Sequence, residues 1–130
     1  MQSLISSALL EPERDNVKIA CDVKGTLEGD KKKQVLKILD LFHRAGYEII
    51  IWSNMSSYAH DAVRDNNLRA EPMGKKMMLD YDDPSEAMNY CIEDDRSQTW
   101  LGAHKFIWVD EIPEDITQIE LFVRELLDGQ

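Results

Sequence analysis

Apolar residues come along this chain in two rhythms, short unbroken runs and longer stretches at helical spacing, and the two alternate. Val17-Lys18-Ile19-Ala20-Cys21 leads into Asp22, and Glu48-Ile49-Ile50-Ile51-Trp52 leads into Ser53-Asn54. Lys105-Phe106-Ile107-Trp108-Val109 leads into Asp110-Glu111. Runs this short and this apolar predict strands covered on both faces. Between the first two runs, Val35, Ile38, Leu39 and Phe42 fall at helical spacing, and Gly46 suits the helix stop. A second helix is expected over about Ser56 to Asn66, followed by a short strand somewhere in Leu68 to Met78. Asp83-Pro84-Ser85-Glu86 reads as a capped helix start, which predicts a helix running to about Asp95 with Cys91 inside it. Asp115-Ile116-Thr117-Gln118 opens a last helix, with Ile116, Ile119, Phe122, Val123 and Leu126 on one face.

Strands alternating with helices predict an α/β fold with a mainly parallel central sheet in three Rossmann-like layers. In a parallel sheet all strands end on the same side. Asp22, Ser53-Asn54 and Asp110-Glu111 would therefore meet where ligands bind in open α/β sheets. Residues 1–16 read as an N-terminal lead-in and residues 17–130 as a single domain.

Composition narrows the function. A formal charge of −10 over 130 residues argues against general binding to nucleic acid or an anionic membrane. Lys31-Lys32-Lys33 and Lys75-Lys76 are the local exceptions, either basic spots or solvated segments. The two cysteines, Cys21 and Cys91, suit packed, reduced thiols. Leu4 to Leu10 is too short and serine-interrupted for a signal peptide, and no run is long enough to span a bilayer. A cytoplasmic protein is the expectation.

Asp22-Val23-Lys24-Gly25-Thr26-Leu27 resembles the first motif of the haloacid dehalogenase (HAD) superfamily, whose usual form is Asp-x-Asp-Gly-Thr-Leu or Val. Ser53 after its strand is similar to the second motif, Lys75 or Lys76 to the third, and Asp110-Glu111 to the fourth. The resemblance covers roughly Val17 to Asp115 and rests on the order and separation of the motifs. It implies a HAD-like fold and a phosphatase or phosphotransferase that works through an aspartyl-phosphate on Asp22 with Mg²⁺. The connections after the first two motifs are too short for a large cap domain, so the implied site is open to phosphorylated substrates, macromolecular ones included.

The implied roles have physical reasons. A phosphoryl group is ringed by negative charge, so an attacking carboxylate needs cations beside it. Mg²⁺ takes oxygen ligands, which Asp22, the backbone carbonyl of Lys24, Asp110 and Glu111 would supply. Ser53 and Asn54 would hold phosphate oxygens, and Lys75 or Lys76 would neutralise both the phosphate and Asp22. Ser53 and Asp115 also have a plainer role as helix caps. Asp80, Asp82 and Asp83 lack the full calcium-loop pattern and suit a solvated turn. His43, His60 and His104 are dispersed, and Trp52 and Trp108 suit the core.

Lys24 departs from the motif. The acid usual there protonates the leaving group and later activates water, a contribution of about 10²–10⁴-fold. Lysine side chains ordinarily titrate near ~10.4 and make poor bases at neutral pH. Its ammonium is also expected to reach Asp22 and repel Mg²⁺. A second reading follows, a HAD-like binding or regulatory module without turnover. A third, a receiver-like domain, fits the strand-end acids and the late lysine but not the Gly25-Thr26-Leu27 turn.

Overall fold

The structure is a computed structural model that describes residues 17–75 and 88–129. Five strands form one sheet: β1 (Lys18–Asp22), β2 (Glu48–Ser53), β3 (Glu71–Gly74), β4 (Tyr90–Glu93) and β5 (Lys105–Trp108). The spatial order is β3-β2-β1-β4-β5, and every pairing is parallel. Among the described residues three α-helices accompany it: α1 (Lys32–Arg44), α2 (Ser56–Asp65) and α3 (Ile119–Asp128). The architecture is α/β and consistent with a Rossmann-like three-layer fold. No helix among the described residues is long and apolar enough to cross a membrane.

Residues two apart in a strand face the same way, and the sheet sorts its side chains accordingly. Ile19, Cys21, Ile49, Ile51, Ile92 and Ile107 pack with the inward stripe of α1, with Ala59 and Ala62 of α2 and with Ile119 and Val123 of α3. Ala20, Ile50, Trp52 and Cys91 face the other way, against Met88, Leu101 and Ala103. Both cysteines are free and buried, and they lie on opposite faces. Helix α1 ends with His43 and Arg44 in its last turn, where cations suit the macrodipole. The chain then turns through Gly46 at φ +94°, a conformation glycine adopts without steric cost.

One expected element is replaced by another. The helix expected to run to about Asp95 does not do so: Tyr90–Glu93 is β4, paired with β1 on one side and β5 on the other. All four of its residues are buried, and Tyr90-Cys91-Ile92 suits a covered strand better than an amphipathic helix. The proposed cap at Asp83 to Glu86 and the acids Asp80, Asp82 and Asp83 lie outside the described residues. Trp108 is also not the core residue expected. It is half-buried and stacks on Phe106, with centroids 4.9 Å apart.

Candidate active site at the carboxyl ends of the strands

The sheet grows outward in both directions from β1 and β4, so the crevice between them is the topological switch point. Asp22 is the last residue of β1, Ser53 of β2 and Glu93 of β4, and Lys75 follows Gly74 at the end of β3. Their side chains open onto one cleft of about 350 Å³, together with Lys24, Asn54 and Asp94.

At its floor an ion-paired trio is buried. Lys75 Nζ lies 2.8 Å from Asp22 Oδ1 and 3.0 Å from Glu93 Oε1. It donates a further hydrogen bond to Gln98 Oε1 at 3.2 Å, which occupies all three ammonium donors. Exposure is 7% for Asp22, 3% for Lys75 and 1% for Glu93, so these charges have little water to fall back on. The strands of Lys75 and Asp22 are separated by β2, a span of about 9.5 Å. A long, flexible stem is what lets a cation cross that distance. Glu93 Oε2 in turn accepts from the backbone N–H groups of Asp94 and Asp95.

Burial raises the pKa of Asp22 above the ordinary carboxylate range, against the opposing pull of Lys75. Burial, reinforced by the charge of Asp22, pushes Glu93 up to about 8. Desolvation works to lower Lys75, but the two carboxylates outweigh it and raise its pKa. One cation between two buried carboxylates leaves an uncompensated negative charge, which favours a further proton or a further cation.

The turn after β1 completes the site. Thr26 is fully buried, and its hydroxyl is shared between Asp94 Oδ1 at 3.2 Å and Asp22 Oδ2 at 3.4 Å. Gly25 stands at φ +77°, where other residues are strained, and a β-carbon there would also displace the Asp94 carboxylate. The turn is held from outside by Lys31, which donates to the carbonyls of Val109 and Ile112 at 2.9 and 2.5 Å. Lys31 is thus a structural tether, while Lys32 and Lys33 are exposed.

Asp22, Glu93 and Asp94 each offer a carboxylate oxygen, all within 4.8 Å of one another. Three oxygen donors of that spacing suit a hard divalent cation that keeps further positions for water or phosphate. The expected acids are different ones. Asp110 and Glu111 lie beyond the edge strand β5, where Arg96 binds Asp110 at 2.7 and 3.1 Å and Glu111 at 3.4 Å. Arg96 also holds Asp110 below the ordinary carboxylate range. The structure does not bring this pair to the cleft.

Several other sequence readings resolve here. Lys75 joins the site, and Lys76 lies outside the described residues. Ser53 Oγ accepts from the Met55 N–H at 3.3 Å, so its own hydroxyl proton is left for another acceptor. Lys24 does not sit on Asp22: its ammonium lies 5.4 Å from the ring centroid of Tyr58, and Lys75 supplies the cation at Asp22. Asp115 is a cap, accepting from the Thr117 N–H at 2.9 Å.

The chain matches no protein-family model, no curated protein and no solved structure.

Sequence reasoning missed Glu93, Asp94 and Gln98. A signal for the first two was present, since Tyr90-Cys91-Ile92 before Glu93-Asp94-Asp95 repeats the apolar-then-acid pattern of Asp22. Gln98 carried none. It reaches the site on the 3₁₀ helix Arg96–Leu101, whose start Asp95 caps.

Proposed function

We propose that this chain is a HAD-like phosphotransferase or phosphatase that uses Asp22 as nucleophile and Mg²⁺ as cofactor. The observation that carries the reading is Lys75 clamped between Asp22 and Glu93 at the switch point. A carboxylate meant to attack a phosphoryl group must stay ionised and have its charge offset. Lys75 offsets the charge of Asp22 and pulls against the burial that favours its protonated form.

The remaining side chains divide the other tasks. Ser53 donates its hydroxyl to a phosphate oxygen, and Asn54 stands beside it at the start of the following turn. Gln98 presents its carbonyl oxygen to Lys75, so its amide N–H groups point elsewhere and can hold a phosphate oxygen. Asp22, Glu93 and Asp94 would hold the metal, which when bound would offset phosphate charge and orient the group for in-line attack. Asp22 then forms a bond to phosphorus as the bond to the leaving oxygen breaks. Water subsequently attacks phosphorus as the Asp22–phosphorus bond breaks, which returns the carboxylate and releases inorganic phosphate. The water's proton goes to solvent, because residue 24 offers no carboxylate to take it. Slow turnover of the aspartyl-phosphate is the expected consequence.

The test is an aryl phosphate assay with Mg²⁺ on the wild type, Asp22→Asn and Lys24→Asp. Activity in the wild type that vanishes in Asp22→Asn is the expected result. Equal activity in Asp22→Asn would overturn the reading. Lys24 itself favours a second reading, a site that binds phosphate without turnover, and activity confined to Lys24→Asp would establish it.

A further inference from the structure

We propose that this site takes phosphoric anhydrides, simple or mixed with a carboxylic acid, in preference to alkyl phosphate monoesters. The inference rests on the phosphoryl-transfer reading and names its substrate class. An alkyl leaving group departs as a strongly basic alkoxide unless a neighbouring acid protonates it. An anhydride expels a carboxylate or phosphate that is stable as an anion.

Among the described residues, the carboxyls of the cleft are engaged elsewhere than at a leaving group. Glu93 is engaged at both oxygens, by Lys75 on one and by two backbone N–H groups on the other, at the floor beside the nucleophile. Asp94 accepts from Thr26, and Asp95 accepts from the Ser97 N–H at the start of its 3₁₀ helix. Asp22 is the nucleophile. Position 24, where the motif would place the acid, holds a lysine.

Lys24 also lies on the side of the leaving group. In-line displacement puts the departing oxygen across phosphorus from the nucleophile. Asp22 is at the floor of the cleft, so the departing oxygen points to the mouth. Lys24 and Tyr58 line that mouth and are exposed, Tyr58 by 40%. Tyr58 holds the ammonium over its ring, and no described carboxylate pairs with it. A cation so placed stabilises an oxyanion as it leaves, an interaction that strengthens along the reaction. In that step Asp22 bonds to phosphorus, the bond from phosphorus to the bridging oxygen breaks, and its electron pair leaves with that oxygen. No proton is needed.

The experiment is single-turnover labelling of the whole chain, read by intact mass, with Mg²⁺ and three donors: acetyl phosphate, inorganic pyrophosphate and glycerol phosphate. Labelling of Asp22 by either anhydride at least about 10²-fold faster than by glycerol phosphate is the expected result. Lys24→Met should slow the anhydride reaction by about 10-fold or more, and Lys24→Asp should narrow the gap by speeding the alkyl donor. Acetyl phosphate and pyrophosphate separate the mixed anhydride from the simple one. Labelling by glycerol phosphate at a rate equal to the anhydrides would overturn the proposal and leave Asp22 chemistry standing. So would a trifluoroberyllate adduct on Asp22, seen by fluorine NMR, with no labelling by either anhydride. Neither adduct nor labelling by any donor would overturn the underlying reading, and this inference with it.

Discussion

Lys75 is a single ammonium on which two buried carboxylates depend, and its removal should be costly. Lys75→Met leaves Asp22 and Glu93 facing each other without a counter-charge, and breaking a buried pair in this way typically costs about 3–5 kcal/mol. Urea denaturation should show that loss near neutral pH and a smaller one at acid pH, where the carboxyls are neutral. The same trio predicts an unusual pH dependence. Glu93 has an ordinary value of 4.5 and is raised to about 8 in the folded chain, so folding takes up a proton between those limits. Its contribution to stability is complete below about pH 4.5 and is lost as the pH rises through 8. Urea midpoints without divalent ions should therefore fall from pH 5 to pH 9, and Glu93→Gln should flatten that slope. Mg²⁺ binding at pH 7 should release a proton, which calorimetry in buffers of different ionisation enthalpy would detect. Binding that releases none would contradict the assignment of Glu93 to the metal.

Strand β4 is where sequence pattern and fold part company. Asp22 and Ser53 were legible because each follows a run whose apolar character is unmistakable, and Lys75, with Lys76 beside it, only through the resemblance to a third motif. Tyr90-Cys91-Ile92 is only three residues long, and the strong cap pattern at Asp83 to Glu86 invited a helix through it. Local patterns of that length do not decide between strand and helix. The pairing with β1 and β5 decides, and it is set by residues some 70 positions away in one direction. The error carried the acidic pair with it, because β5 ends in Asp110-Glu111 with the same appearance but stands at the sheet's edge. If β4 is a central strand, the amides of Cys91 and Ile92 should be among the slowest to exchange with deuterium. Ile92→Ala should cost about 2–5 kcal/mol in urea denaturation. Fast exchange at both amides would contradict this placement.

Among the described residues, four neighbouring strands each end in or beside a residue that serves the cleft, and the connections after the first two are short. Residues 23–31 and 54–55 separate the elements around β1 and β2, and Lys24, Met55 and Tyr58 at the mouth are exposed. That arrangement follows from alternation of strand and helix, which is why the fold class and the location of the site could be read from sequence. The division of labour could not. Gln98 reaches Lys75 from a segment without a motif, and the turn of Lys24 onto Tyr58 depends on two elements far apart in the chain. The central claim is that Asp22 is the residue that bonds to phosphorus. Trifluoroberyllate mimics a phosphoryl group on a carboxylate and tests that claim without a leaving group. Fluorine NMR of the chain with Mg²⁺ and trifluoroberyllate should show a bound signal in the wild type that is lost in Asp22→Asn and in Mg²⁺-free solution. A bound signal of the same intensity in Asp22→Asn, or none in the wild type, would contradict it.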